Sequence, residues 1–220
     1  MKHQISSKLH NYYDEKTGLF KSSTLSLQPA NGLIKTQAIQ EFSYEGTGKI
    51  KECKHGEYAG TTSYAYNIRG QFSDIISSSF TEKIYYTDGL GTPRYNGNIS
   101  SQQWKTADET IMRGYKFSYD NCNRLTNSIY AEREDMSYHL NRYNEEIVTY
   151  NANGAIKKIR RRGRKDDGIY GKIDDLTINL HGNQLMSVID KSAPVNSYAA
   201  MDFKDGADDT KEYFYNGVGA

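Results

Sequence analysis

A seven-residue frame recurs along the chain: Tyr, then Asn, Asp or Glu, two free residues, Gly or Asn, one free residue and an apolar residue. It reads YEGTGKI from Tyr44, YNIRGQF from Tyr66, YDNCNRL from Tyr119 and YNANGAI from Tyr150, and a fifth copy, YNGVGA from Tyr215, stops with the chain. Looser versions fill the gaps: YDEKTGLF at 13 has one residue more, YNGNI at 95 has two fewer, and LHGNQL at 180 has one fewer with Leu in place of Tyr. Copies starting at 13, 44, 66, 95, 119, 150, 180 and 215 make a repeat of variable length. A period of roughly 20 to 50 residues means stacked copies of one supersecondary unit.

The unit reads as a β-hairpin. Tyr115, Phe117 and Tyr119 alternate with Lys116, Ser118 and Asp120, and Leu176, Ile178 and Leu180 alternate with Thr177 and Asn179; a period of two is that of half-buried strands. The Asp or Asn that follows can bond its own backbone two residues on, and the Gly or Asn tolerates the left-handed conformation that closes a short loop. The closing apolar residue then returns to the dry face. The frame therefore predicts positive φ at Gly48, Gly70, Asn123 and Gly154, and a buried cross-strand ladder of Tyr44, Tyr66, Tyr119 and Tyr150. Leu140, Tyr143 and Ile147 also suit one face of a helix, but the run IVTYN suits a strand entering the turn at 150, and strand is the reading taken. A lone hairpin is marginal in water and must stack on its neighbours.

Composition agrees with an all-β chain. There are 19 Tyr and 19 Gly, but Val only at 148, 188, 195 and 218 and only three Pro: aromatics for a pleated surface, glycines for tight turns, and too little Leu and Ala for a bundle. A formal charge of +1 on 28 basic and 27 acidic residues gives no net field toward nucleic acid or an anionic membrane. Cys53 and Cys122 show no CxxC spacing, which argues against a zinc site and leaves a disulfide open. The amino terminus, MKHQISSKLHNYYDEK, lacks the apolar stretch of a signal peptide, and no run approaches the ~20 apolar residues of a membrane span.

Chemistry-bearing motifs are missing. His3, His10, His55, His139 and His181 are scattered without ligand spacing. GLGTPR at 89 lacks the last Gly of a dinucleotide fingerprint and reads as a turn ending at Pro93, and there is no GxSxG or P-loop. RRRGRK at 160–165 is followed by Asp166 and Asp167 and reads as a solvated, Gly-centred hairpin end rather than a phosphate-binding site. DFKDGADD at 202–209 fails the EF-hand spacing and reads as an acidic turn. No catalytic, cofactor-binding or metal-binding residue is assigned, and no cofactor is expected.

The segments YYTDGLGTPRYNGNISSQQWK, GYKFSYDNCNRLTNSIYAE, LNRYNEEIVTYNANGAI, IDDLTINLHGNQLMSV and FKDGADDTKEYFYNGVG resemble consecutive units of the RHS or YD-repeat family, whose hallmark is Tyr-Asp followed by Gly-Asn or Gly-Arg and an apolar residue. The resemblance runs from about residue 61 to 220 and is weaker over 1–60. It implies consecutive antiparallel β-hairpins in a twisted, spiralling sheet, which in full-length relatives winds into a hollow shell around a C-terminal toxic or variable domain. It also implies a bacterial protein that is secreted or displayed at the cell surface.

The sequence departs from the family in stopping inside a repeat, so the family's terminal core, self-cleavage site and effector domain have no counterpart in it. The resulting reading is a non-catalytic segment of shell wall whose partners are further repeats and a C-terminal effector domain. The second reading is a carbohydrate-binding or adhesive module, with Tyr side chains and Trp104 stacking on sugars of cell-surface glycans. On the first reading, the end YFYNGVGA predicts that Tyr213 to Tyr215 form an unprotected strand edge that promotes self-association.

Overall fold

The computed structural model describes residues 6–29, 32–56, 60–195, 201–204, 206 and 210–216. Fourteen strands follow one another in chain order within a single sheet, each hydrogen-bonded to the next. They are β1 (Ser6–Tyr13), β2 (Phe20–Gln28), β3 (Lys35–Tyr44), β4 (Ile50–His55), β5 (Thr61–Tyr66), β6 (Phe72–Ile76) and β7 (Phe80–Tyr85). There follow β8 (Ser101–Thr106), β9 (Arg113–Tyr119), β10 (Leu125–Glu132), β11 (Glu145–Tyr150), β12 (Ile156–Arg164), β13 (Tyr170–His181) and β14 (Gln184–Asp190). The ladders are antiparallel, and the described residues include no helix long and apolar enough to cross a membrane. Two compact units are formed, residues 1–84 with 104–110, and residues 85–103 with 111–220.

The frame closes hairpins in both units. Its Tyr pairs with its own apolar residue across the turn: Tyr44 with Ile50 and Tyr66 with Phe72 in the first unit, Tyr119 with Leu125 and Tyr150 with Ile156 in the second. Within the turn the Glu45 N–H donates to the Lys49 carbonyl (2.8 Å) and the Gly48 N–H to the Glu45 carbonyl (2.9 Å). The same two bonds recur at 67–71, 120–124 and 151–155. This is a three-residue loop that ends in a left-handed residue and throws a bulge into the strand. That residue is Gly48 (φ 81°), Gly70 (φ 78°), Asn123 (φ 60°) or Gly154 (φ 83°).

The looser frames diverge. Those at 13 and 180 also turn hairpins, pairing Tyr13 with Phe20 and Leu180 with Leu185. The one at 95 does not: residues 86–100 form an irregular connection between β7 and β8. A turn of the frame's geometry lies at Lys165–Gly168, with Gly168 at φ 77°, where no Tyr announces it.

Residues 145–150, where a helix was also conceivable, form β11, and 133–144 are turns. The basic run is not a hairpin end. Arg160, Arg161, Arg162 and Gly163 lie inside β12, and the turn begins only at Lys165. Gly163 is there because a Cβ would come within 2.7 Å of Ile173 Cδ1 on the paired strand.

The core is concentrated in the second unit, where Met112, Tyr130, Ala131, Met136, Ile173, Leu176, Val188 and Val195 are buried; Cys53 is the buried counterpart in the first. Four consecutive residues of β13, Ile173 to Leu176, are buried. Alternation cannot bury four in a row against one layer, so this strand is covered on both faces.

Candidate functional site

The recurrent constellation is the joint between one frame and the next. The Tyr44 hydroxyl donates to the Phe20 carbonyl (2.5 Å) and the Tyr66 hydroxyl to that of Ile50 (2.9 Å); in the second unit Tyr119 donates to Ile99 (2.8 Å) and Tyr150 to Leu125 (2.5 Å). Each acceptor is the apolar residue that ends the preceding frame. Because Ile50 is also paired with Tyr44, and Leu125 with Tyr119, the joints form a chain: strand pair, hydroxyl bond, strand pair.

Even the irregular frame at 95 supplies its carbonyl, from Ile99. Tyr215 meets the residue ending the frame before it, Leu185, with the polarity reversed: the Leu185 N–H donates to the Tyr215 oxygen at 3.0 Å.

The frame tyrosines do not stack on one another as the expected ladder. The rings of Tyr44, Tyr66, Tyr119 and Tyr150 are half-buried, because each phenol must reach along the sheet to a neighbouring main chain rather than down into the core. Burial nonetheless raises the hydroxyl pKa of Tyr66, Tyr119 and Tyr150, which keeps them protonated as donors.

Cations cover three of the rings. Lys49 Nζ lies 5.0 Å from the Tyr66 centroid, Arg94 5.0 Å from that of Tyr119 and Arg124 4.3 Å from that of Tyr150. Lys49 and Arg124 occupy the same frame position, the residue just before the apolar one. The aromatic ladder exists, but it is built by other residues: Tyr115, Tyr130, Tyr143 and Tyr170 meet edge-to-face at 5.5, 5.0 and 5.3 Å. Burial, with the Glu145 charge adding to it, pushes the Tyr115 hydroxyl up to about 12.

The second frame residue stabilises the loop. Asp120 Oδ1 accepts from the Cys122 and Arg124 N–H groups, both at 2.9 Å, and Asn67 and Asn151 accept from the residues two and four places on in the same way. Asp120 Oδ2 binds Arg124 Nε at 2.7 Å, so one carboxylate fixes both the turn and the cation over Tyr150. Its pKa is lowered, first by the Arg124 N–H and then by the Arg124 side chain.

Elsewhere the basic run faces acids: Arg160 lies 3.3 Å from Glu146 and 3.4 Å from Asp175, and Arg161 2.6 Å from Asp174. Cys53 and Cys122 are free thiols, one buried and one exposed. Residues 211–216 form no strand. The Glu212 and Tyr213 N–H groups both donate to the Met186 carbonyl on β14, at 2.8 and 3.2 Å, so the predicted bare edge at Tyr213 is covered. Asp202 is no exposed turn residue: its side chain is buried beside Asp174 and Asp190; Asp205, Asp208 and Asp209 lie outside the described residues.

No family model and no curated protein matches the chain. Among solved structures it is similar to a chain in a Photorhabdus luminescens Tc holotoxin pore carrying a mutated TccC3, at 11% identity over 86% of this chain and 10% of that one, with a TM-score of 0.38. It is also similar to TcdB2-TccC3 without its hypervariable C-terminal region, at 10% identity over 84% of this chain and 10% of that one, with a TM-score of 0.40. The chain spans about a tenth of the length of each.

Proposed function

We propose that the chain is a non-catalytic structural segment, a stretch of wall assembled from stacked β-hairpins. The observation that supports this is the series of four tyrosine–carbonyl joints, two in each unit. Each bond has one end in one frame and the other in the frame before it, so what it contributes is the fixed spacing of consecutive units. Tyr44, Tyr66, Tyr119, Tyr150 and Tyr215 are the joint residues of this wall; Gly48, Gly70, Asn123 and Gly154 are its turn residues. By its resemblance to RHS or YD-repeat proteins, such a wall belongs to the shell of a secreted or surface-displayed toxin or cell-contact protein. Its partners are then further hairpins stacked on its own and an enclosed C-terminal effector domain.

Hydrogen exchange on the whole chain tests this reading. Tyr150→Phe is expected to speed exchange in both the β9–β10 and the β11–β12 hairpins while leaving β1 to β4 unchanged. An effect confined to the β11–β12 hairpin would remove the joint role. Saturable binding on a glycan array, lost in Trp104→Ala, would replace the wall with an adhesive module.

A further inference from the structure

Asp174 on β13, Asp190 at the end of β14 and Asp202 in the segment 201–204 each place a carboxylate oxygen within 4.8 Å of the other two. The Asp174 side chain is fully buried and that of Asp202 is 1% exposed. Asp202 Oδ1 is buried with no hydrogen-bond partner. Its Oδ2 accepts from Lys204 Nζ at 3.0 Å and from the Val195 N–H at 3.1 Å. Arg161 Nε lies 2.6 Å from Asp174 Oδ2, and the Phe203 N–H donates to Asp174 Oδ1 at 2.8 Å. Asp190 accepts from the Asp175 and Ser192 N–H groups and from Ser192 Oγ.

Asp174 thus contacts Arg161 and Asp202 contacts Lys204, while one oxygen of Asp202 stays buried without a partner. Burying a carboxylate oxygen without a partner is costly unless a positive charge joins it. We propose that Asp174, Asp190 and Asp202 bind a hard divalent cation, Ca²⁺ in preference to Mg²⁺, and thereby fasten the segment 201–204 to the sheet.

The donor chemistry selects the ion: all ligands are oxygens and no His or Cys joins them. Three oxygens can share one Ca²⁺ at ~2.4 Å from each once they lie within about 4.2 Å of one another, a small closure from the bound of 4.8 Å, whereas Mg²⁺ needs shorter bonds and a stricter octahedron. Lys204, whose side chain is 64% exposed, also donates to the Val195 carbonyl; when it swings into water it frees that carbonyl and Asp202 Oδ2 as further ligands. In sequence the three residues lie far apart, and Asp202 stands in a stretch whose own spacing fits no calcium loop.

The test is thermal unfolding of the whole chain after chelator treatment, titrated with Ca²⁺ or Mg²⁺, with Tb³⁺ luminescence and displacement by Ca²⁺ as a second readout. The expected result is a rise in Tm that sets in near Kd and continues with log free Ca²⁺ above it. Asp202→Asn, which keeps shape and loses charge, should abolish the rise and the Tb³⁺ signal. Asp190→Asn serves should that variant not fold. A wild-type chain indifferent to Ca²⁺ and Mg²⁺ overturns the proposal and leaves a proton shared among the carboxylates as the compensating charge. A Ca²⁺ response surviving in both variants places the ion elsewhere and equally overturns it.

Discussion

The hydroxyl of Tyr119 donates a 2.8 Å hydrogen bond to the backbone carbonyl of Ile99, twenty residues earlier and in the preceding frame. The same relation links Tyr150 to Leu125, and Leu125 is itself paired with Tyr119. That side chain thus does what a backbone ladder cannot, binding the turn end of one hairpin to the turn end of its neighbour.

Tyr119→Phe removes the hydroxyl and leaves the ring beneath Arg94. The expected loss is ~0.5–1.5 kcal/mol, the net worth of one such bond. Tyr150→Phe should cost a similar amount, and the double variant should depart from additivity because Leu125 belongs to both joints. Urea midpoints of the two single variants and the double variant measure this; strict additivity would mean that the joints act independently.

Glycine variants separate two kinds of constraint. A Cβ on Gly154 would meet nothing within 4 Å, so its cost is that of a left-handed backbone alone, roughly 1–2 kcal/mol for Ala, more for Val and less for Asn. Gly114 has no such φ, but a Cβ there would lie 2.6 Å from the Gln102 carbonyl on the neighbouring strand. Gly114→Asn should therefore be at least as damaging as Gly114→Ala, whereas Gly154→Asn should be the mildest change at its site. Equal ranking of the two series in thermal melts would contradict the assignment.

These contrasts mark what the sequence disclosed. The turns were legible because their determinants are local: Asp120, Asn123 and Arg124 fix one loop among themselves. The direction of the Tyr hydroxyls was not, because their acceptors lie 16 to 25 residues away and are main-chain atoms that carry no sequence signature. RRRGRK was misread as a hairpin end because Gly163 looks like a turn residue in isolation and becomes a strand residue only when Ile173 is packed against it. The acidic trio was invisible for the same reason, since its members come from two strands and a later segment.

Asp120 provides a pH test with a definite sign. Its folded-state pKa is depressed, so its contribution is fully present above the unfolded value of ~3.9 and is lost as pH falls through the folded value. Asp120→Asn keeps the two backbone acceptor bonds, as Asn67 and Asn151 do, and loses the charge held by Arg124. The stability gap between wild type and variant should be open at pH 7 and close below about pH 4. A gap unchanged at pH 3, measured by urea unfolding, would show that the charge adds nothing.

At Leu180 the pattern lapses on both sides. Leu replaces the frame Tyr, and Ala155 stands where Lys49 and Arg124 supply the cation. Counting three residues along each strand from the pair Lys158 and Thr177 sets Ala155 opposite Leu180. The ring and its covering cation are therefore missing together, at positions that the register of β12 and β13, extended, sets side by side. Leu180→Tyr places a hydroxyl in register to reach the Ile156 carbonyl, as Tyr66 reaches that of Ile50 beside Lys49. It should stabilise the chain by ~0.5–1.5 kcal/mol. Ala155→Arg alone offers a cation without a ring and should change little, but combined with Leu180→Tyr it should add ~0.5–1 kcal/mol beyond the sum of the two single effects. A double-mutant cycle by chemical denaturation measures that coupling. A coupling of zero would mean that ring and cation at Tyr66 and Tyr150 are neighbours without being partners.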